Sequence, residues 1–207
     1  QGGLGLVRVS DDGEGMTRDD ALLALERHAT SKISAFDDLS RLLTFGFRGE
    51  ALPSIASVSV LTLLTRRKDD DEATQVSGGA ASSASRAPGT TVEVRELFAN
   101  VPARRKFLKA APTEAAHVGE AVLHAALSRH DVTFVLSRDG KVAREHLRAQ
   151  SRRERALVAL GEPRLVAVKA ERGPVRIEAH LGPPERARSG ARALHLIVNG
   201  RPVRDRP

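Results

Sequence analysis

A glycine-flanked basic segment that runs directly into an apolar stretch constrains this chain most. Residues 44–52 read Thr-Phe-Gly-Phe-Arg-Gly-Glu-Ala-Leu, so that Gly46 and Gly49 flank Phe47 and Arg48. Glycines allow bare backbone amides to converge on an anion, and a helix N-terminus behind them adds positive partial charge. The segment predicts a phosphate-binding loop, with an ordinary Gly-x-x-Gly turn as the alternative.

The composition excludes several classes of protein. Cysteine is absent, which excludes a disulfide scaffold and a thiolate metal site and fits a reducing interior. No apolar run approaches the roughly 20 residues of a membrane span, and we expect no signal peptide. We therefore expect no membrane partner and a cytoplasmic location. Because the chain opens with Gln1 and its single methionine is Met16, we also expect it to be an internal piece of a longer protein.

Charge is distributed unevenly along the chain. Residues 1–100 carry 11 basic and 15 acidic side chains, a net charge of −4, whereas residues 101–207 carry 22 basic and 11 acidic, a net charge of +11. A basic half of this kind predicts contact with a polyanion such as DNA. The alternative is an arginine-rich composition with no binding role.

Hydrophobic periodicity predicts helices and strands along most of the chain. The predicted strands are 4–10, 58–65, 90–95, 132–137, 142–146, 166–170, 175–181 and 194–198. The predicted helices are 17–28, 36–43, 50–57, 113–129 and 154–160. This order, with hairpins in place of regular βαβ units, predicts an α+β fold.

Three other features organise the predicted elements. Residues 66–89 have almost no bulky apolar side chains and are predicted to be a mobile surface loop. Asp-Gly at 139–140 and Asn-Gly at 199–200 are turn signals. The polar stretch 150–155 is the best candidate for a boundary between a domain over 1–150 and a second domain over 151–207.

The first fifty residues carry side chains suited to a nucleotide. Asp11, at a strand end, could accept a hydrogen bond from the exocyclic amine of adenine, which guanine does not present in the same place. Gly13 and Gly15 allow backbone to approach a flat ring. Thr30 and Lys32 could reach phosphate or ribose, and Arg48 adds a guanidinium to the anion loop. Alternatively, each of these segments is only a turn or a solvated helix end.

Four segments together resemble the MutL family of DNA mismatch-repair ATPases, within the GHKL superfamily. They are Asp-Asp-Gly-Glu-Gly at 11–15, Arg-His-Ala-Thr-Ser-Lys-Ile at 27–33, Gly-Phe-Arg-Gly-Glu-Ala-Leu at 46–52 and Val-Pro-Ala-Arg-Arg-Lys-Phe-Leu at 101–108. The resemblance implies a GHKL-type ATP-binding sandwich, a mostly antiparallel sheet backed by helices, followed by the start of a smaller, transducer-like α+β domain.

The resemblance also implies roles for individual residues. Asp11 would read the adenine amine, Gly15 would line that pocket, and Thr90 would buttress Asp11. Thr30 and Lys32, in a lid, would contact the nucleotide. The backbone of Gly46, Phe47, Arg48 and Gly49 would hold the triphosphate, and Arg206 falls on a DNA-binding position.

The implied ligands and partners are ATP, Mg²⁺, single- or double-stranded DNA, a second copy through ATP-dependent N-terminal dimerisation, and a MutS-type mismatch-recognition protein. The implied location is the bacterial cytoplasm, at the nucleoid. ATP binding would couple mismatch recognition to downstream repair. A DNA-binding module with a vestigial nucleotide pocket and another type of GHKL ATPase are the alternatives.

Some family features are missing from these 207 residues. The helix with the general-base glutamate and the magnesium-binding asparagine should precede Asp11, yet only ten residues do so. The lysine from the second domain that reaches the γ-phosphate should follow residue 207. Asp12 replaces the usual asparagine, which adds negative charge near the triphosphate. We therefore expect this chain alone to bind ATP poorly and to hydrolyse it negligibly.

Overall fold

The computed structural model describes residues 2–26, 50–187 and 193–203 of the chain. The backbone divides into two units, Gln1–Ala115 and Ala116–Pro207. Each unit has a hydrophobic core of its own.

The first unit is built on an antiparallel sheet of five strands. Its described elements are β1 (Leu6–Ser10), α1 (Arg18–Leu23), α2 (Ala51–Ala56), β2 (Val60–Arg66), β3 (Ala73–Ser77), β4 (Ala80–Ala84), β5 (Gly89–Arg95), α3 (Pro102–Arg105) and the start of α4 (Ala111–Ser128). The strand order is β1-β5-β2-β3-β4. Because β5 lies between β1 and β2, the segment that leaves β1 runs beside the start of β5.

One face of this sheet carries the core of the first unit. Along β2, Leu61, Leu63 and Thr65 alternate onto the same face and are buried, as the two-residue period of a strand requires. Leu61 and Leu63 pack with Ala21 of α1 and Val76 of β3, both of which are fully buried. The structure confirms the predicted α+β class, with a mostly antiparallel sheet backed by helices.

The α1 helix begins where the sequence predicts. Thr17 is its N-cap, and its Oγ1 accepts a hydrogen bond of 3.1 Å from the backbone N–H of Asp20, which satisfies an amide that has no helical partner. The helix ends at Leu23, before the end predicted near residue 28. The short helix predicted over 36–43 lies outside the described residues.

The prediction of a mobile loop over residues 66–89 is wrong. Residues 73–84 form the β3–β4 hairpin, whose turn contains Gly78 and Gly79, with φ of 58° and 81°. Two positive φ values form the tight turn that matches the twist of a hairpin, and Gly-Gly is a sequence signal for it. The segment lacks bulky side chains, but Val76 is fully buried, Ala73 is buried beside it on the same strand, and Ala81 packs against the core. Small side chains on the remaining positions are enough for a strand.

The second unit combines helices with two-stranded antiparallel sheets. Besides the rest of α4, its described elements are β6 (Phe134–Arg138), β7 (Lys141–His146), α5 (Arg152–Leu160), β8 (Val166–Arg172), β9 (Val175–Leu181), a short 3-10 helix (Pro184–Arg186), β10 (Leu196–Val198) and β11 (Arg201–Val203). The predicted turns are confirmed, since Asp139, Gly140, Asn199 and Gly200 all have positive φ and join paired strands. Within the described residues, no helix has the length and apolar character of a membrane span.

The α5 helix carries a buried guanidinium. Ser151 caps its start, and Gly161 ends it in the left-handed conformation with φ of 64°. Arg155 is only 1% exposed, and its Nη2 donates to the carbonyl oxygens of His130 at 2.9 Å and Val132 at 2.7 Å. These bonds tie α5 to the segment between α4 and β6. The predicted domain boundary just before α5 stays a prediction.

Candidate functional site

The carboxylate of Asp11 is fixed by backbone groups at the end of β1. Its Oδ1 accepts hydrogen bonds from the backbone N–H groups of Gly13 at 2.9 Å and Thr90 at 3.1 Å. The backbone N–H of Asp11 donates to the carbonyl oxygen of Thr90 at 2.8 Å. Among the residues that the structure describes, Oδ2 of Asp11 has no hydrogen-bond partner, and the residue is exposed. Asp11 is therefore a firmly held carboxylate whose Oδ2 is not contacted by any described residue.

The buried hydroxyl of Thr65 links three segments of this site. Its Oγ1 accepts a hydrogen bond of 2.9 Å from the backbone N–H of Met16. The same atom lies 3.2 Å from the carbonyl oxygen of Gly89 and 3.0 Å from Oγ1 of Thr90. A hydroxyl donates once and accepts twice, so donation to Gly89 with acceptance from Met16 and Thr90 satisfies it fully. Thr90 thus binds Asp11 through its amide and Thr65 through its hydroxyl.

Two glycines allow backbone segments to approach closely here. A Cβ on Gly15 would lie 2.0 Å from the carbonyl oxygen of Arg66, and one on Gly89 would lie 2.2 Å from that of Asp11. Both glycines also have positive φ, +70° and +121°, which favours glycine over any L-residue. Because neither glycine has a side chain, the segment that begins at Asp11 can pack closely against β2 and β5.

The guanidinium of Arg86 binds the same region from the β4–β5 connection. Its Nη1 donates to the carbonyl oxygen of Leu64 at 3.1 Å, and its Nη2 donates to that of Asp11 at 3.0 Å. One side chain therefore bridges β2 and the residue that follows β1. Arg86 binds the carbonyl of Asp11, and the amide and Oδ1 of Asp11 have the partners described above.

A charged network holds β1 in register with β5 beside the site. Arg8 and Glu93 are directly opposite each other, and Arg8 Nη2 lies 2.6 Å from Glu93 Oε1. Arg95 Nη2 lies 3.0 Å from Glu93 Oε2. Burial raises the pKa of Glu93, but the hydrogen bonds and charges of Arg8 and Arg95 outweigh it and leave that pKa below its usual value. The register that brings Asp11 to Thr90 is thereby supported by ion pairs.

Within the described ranges, the site offers one carboxylate oxygen without a hydrogen-bond partner, Oδ2 of Asp11. No group of three His, Asp or Glu side chains within the described ranges is placed to hold a metal ion. Mg²⁺ binds several oxygen ligands, and Asp11 has one carboxylate oxygen left after its backbone contacts. That remaining oxygen fits a single hydrogen-bond donor on a ligand.

Over its whole length the chain is similar to bacterial proteins named DNA mismatch repair protein MutL. It is 50% identical over 214 residues to the protein of Anaeromyxobacter sp. (strain K), covering 100% of this chain and 35% of that protein. It is 48% identical over 210 residues to the protein of Trichlorobacter lovleyi, covering 99% of this chain and 36% of that protein. The chain belongs to the MutL family. No protein-family model matches it.

Solved structures of related proteins have the same fold as this chain. The Aquifex aeolicus MutL ATPase domain complexed with ADP aligns with a TM-score of 0.71 and 27% identity, covering 97% of this chain and 72% of that domain. The N-terminal domain of a DNA repair protein aligns with a TM-score of 0.74 at 24% identity, which shows the fold alone. The predicted GHKL-type ATP-binding fold is confirmed. The chain spans about a third of the length of its MutL relatives, at 35–36%.

The structure describes part of the predicted MutL site. Asp11, Gly15 and Thr90 are described, and the hydrogen bonds around Thr65 bring their segments together. The predicted residues outside the described ranges are Thr30, Lys32, Gly46, Phe47, Arg48, Gly49 and Arg206. The roles of all ten residues stay predictions.

Sequence reasoning missed two residues whose hydrogen bonds hold Asp11 and Thr90 in place, Thr65 and Arg86. Thr65 shares the inward face of β2 with Leu61 and Leu63, and a hydroxyl at such a position signals a buried hydrogen-bond partner. Arg86 falls in the stretch that was predicted to be a loop. No sequence signal identifies its two carbonyl partners, because one of them belongs to Asp11, 75 positions away.

Proposed function

We propose that this chain is the nucleotide-binding part of a MutL-type mismatch-repair ATPase and that Asp11 reads the adenine base. The geometry of Asp11 carries the proposal, since its Oδ1 accepts hydrogen bonds from two amides while no residue in the described ranges binds Oδ2. Adenine carries an amino group where guanine carries an acceptor oxygen. A hydrogen bond to a charged group contributes about 1.5–3 kcal/mol, and a carboxylate facing the guanine oxygen would lose it. This difference would select adenine.

Binding of ADP to the 207-residue chain tests this role, with NMR chemical shifts as the readout because they detect weak complexes. Asp11→Ala is expected to weaken ADP binding about tenfold or more. Asp12→Ala is the matched control, because it removes the same charge from the neighbouring exposed position, and it should leave ADP binding equal or slightly stronger. Equal losses in both variants, or no loss in Asp11→Ala, would reject the proposal.

The glycine-flanked loop is proposed to hold the phosphates. Backbone amides of residues 46–49 would bind the triphosphate, the guanidinium of Arg48 would add charge, and Thr30 and Lys32 would contact the nucleotide from the lid. Arg48→Ala should weaken ADP binding but not adenosine binding, because adenosine lacks phosphate. If Arg48→Ala weakened the binding of ADP and adenosine equally, Arg48 would not act through the phosphates.

Hydrolysis of ATP is proposed for the longer MutL protein. Mg²⁺ supplies charge neutralisation at the phosphates when bound, and the resemblance places its asparagine ligand and the general-base glutamate outside these 207 residues. Water activation and leaving-group charge would then be uncompensated in this chain alone. A steady-state ATPase rate comparable to that of a full-length MutL protein would contradict this expectation.

A second proposed function is DNA binding through the basic half of the chain. The segment around α3 favours it, because Arg104, Arg105, Lys106 and Lys109 are all exposed, and Arg206 is a further candidate. Each phosphate contact adds about 0.9 to the slope of log affinity against log salt. Arg104→Ala with Arg105→Ala should lower that slope, whereas Arg67→Ala, an exposed arginine beside an acidic run, should not. Binding that does not change with salt would exclude this mode.

DNA binding and nucleotide reading can be separated experimentally. If the chain binds DNA with a steep salt dependence while Asp11→Ala leaves ADP binding unchanged, the alternative of a DNA-binding module with a vestigial pocket is favoured. For the longer protein we also propose ATP-dependent self-association, coupling to a MutS-type protein, and action at the nucleoid in the bacterial cytoplasm. Equal self-association with ATP and with ADP would argue against the first of these.

A further inference from the structure

We propose that Arg86 is a positioning residue that holds Asp11 in place for the adenine base. The inference rests on the proposed function of Asp11, and it assigns a role to a side chain outside the predicted nucleotide motifs. Arg86 donates from Nη2 to the carbonyl oxygen of Asp11 at 3.0 Å and from Nη1 to that of Leu64 at 3.1 Å.

The planar guanidinium suits this position because two carbonyls must be reached at once. Leu64 belongs to β2, Asp11 follows β1, and β5 lies between these two strands. A rigid fork of N–H donors can span acceptors on both sides of an intervening strand, whereas the ammonium of a lysine is a point charge on a flexible stem. Arg86 therefore clamps Asp11 to the centre of the sheet.

The carbonyl of Asp11, which Arg86 binds, lies in a tightly packed position. It lies where a Cβ on Gly89 would be 2.2 Å away, so β5 leaves it only a narrow space. Beyond it the chain leaves the sheet, and the Gly13 amide is the next group that binds the Asp11 side chain. Without Arg86, the hydrogen bonds that join Asp11 to Thr90 and Gly13 would open more often, because the turn between Asp11 and Gly13 would be free to move away from the sheet.

Hydrogen exchange on the 207-residue chain, without any nucleotide, tests the positioning directly. Arg86→Ala is expected to speed exchange of the Asp11 and Thr90 amides about tenfold while leaving the Val92 amide in the middle of β5 unchanged. The matched control is Arg18→Ala, whose guanidinium also donates to a backbone carbonyl, that of Ala81 at 2.9 Å. Unchanged exchange at Asp11 and Thr90 in Arg86→Ala would overturn the proposal.

Base discrimination tests whether the positioning serves adenine. Arg86→Ala should weaken ADP binding about tenfold and leave GDP binding unchanged, whereas Arg86→Lys should lose less because it keeps one of the two bonds. In the Asp11→Ala background, Arg86→Ala should cause no further loss, since coupled residues are non-additive. If Arg86→Ala weakened ADP and GDP binding equally, Arg86 would have only a structural role. The same conclusion would follow if Arg86→Ala weakened ADP binding as much in the Asp11→Ala background as in the unaltered chain.

The two levels of the proposal fail in different ways. If Asp11→Ala alone leaves ADP binding unchanged, the proposed function of Asp11 fails, and with it the adenine role of Arg86. If Asp11→Ala weakens ADP binding while Arg86→Ala changes neither ADP binding nor amide exchange, the proposed function stands and the role of Arg86 is rejected.

Discussion

The backbone amide of Thr90 donates a hydrogen bond of 3.1 Å to Oδ1 of Asp11 across 79 positions of sequence. The hydroxyl of Thr90 binds elsewhere, 3.0 Å from Oγ1 of Thr65. The amide therefore orients the carboxylate, while the hydroxyl joins a buried network. Substitutions can separate these two contributions, because only the second depends on the side chain.

Thr90→Ala should change stability more than base preference. The amide that orients Asp11 remains, whereas the bond to Thr65 is lost. Urea denaturation should show a loss of about 1 kcal/mol in the free energy of unfolding, which Thr90→Ser should restore. The ratio of ADP to GDP affinity should stay close to that of the unaltered chain. A lost base preference with unchanged stability would show that the hydroxyl itself orients Asp11.

Thr65→Val should be more destabilising than its size suggests. Valine has nearly the same shape, but the Met16 amide loses its acceptor, and such an unsatisfied group costs about 1–3 kcal/mol. Thr62→Val is the control, because Thr62 lies on the opposite face of β2, and its effect should stay within about 0.5 kcal/mol. Equal midpoints of urea denaturation for the two variants would contradict the role given to the Thr65 hydroxyl.

Gly89→Ala should disrupt the site, whereas Gly78→Ala should not. Both glycines have positive φ, so each substitution carries backbone strain of roughly 1–3 kcal/mol. At Gly89 the new Cβ would also lie 2.2 Å from the carbonyl oxygen of Asp11, whereas at Gly78 nothing lies within 4 Å. We expect Gly89→Ala to lose at least about 3 kcal/mol in the free energy of unfolding and to abolish ADP binding. If both variants lost similar free energy of unfolding, the close approach of Gly89 to Asp11 would make no contribution to stability.

The second unit should lose stability as the pH falls from 6.5 towards 5. Burial lowers the pKa of His146, and the charges of Arg155 and Arg144 lower it further. Burial likewise lowers the pKa of His195, and His124 adds to the effect. Below pH 6.5 the histidines of the unfolded chain therefore bind protons that those of the folded chain do not. The free energy of unfolding is highest above pH 6.5 and falls as the pH drops below that value.

His146→Gln should flatten this dependence in urea denaturation, and His146→Gln with His195→Gln should flatten it further. His117→Gln, at an exposed position, is the control. Asp131 titrates outside this window, because its hydrogen bonds with Arg129 lower its pKa to about 2. An unchanged slope between pH 5 and 6.5 in the double variant would show that other groups cause it.

The sequence predicted well where local chemistry decides the structure. Thr17 caps α1 and Asp139-Gly140 turns the β6–β7 hairpin because each signal acts over a few residues. Asp11 was a candidate because a carboxylate after a strand and before glycines stands out. The α+β class followed from the order of periodic segments in the same way.

The rest depends on contacts between distant residues. The β3–β4 hairpin was missed because two small buried side chains, those of Ala73 and Val76, are enough to anchor a strand of otherwise polar composition. The amide of Thr90 could not be distinguished from its hydroxyl as the group that binds Asp11, because that choice depends on the pairing of β1 with β5. The role of Arg86 was missed for the same reason, since its carbonyl partners, Leu64 on β2 and Asp11 just after β1, come together only in the folded sheet.

Comparison of ADP and GDP binding to Asp11→Asn tests the central claim most directly. The amide side chain can donate to the acceptor oxygen of guanine, which a carboxylate cannot do. The account predicts that the unaltered chain prefers ADP about tenfold or more and that Asp11→Asn loses or reverses this preference, while Asp12→Asn keeps it. An unchanged preference for ADP in Asp11→Asn would contradict the claim that Asp11 reads the base.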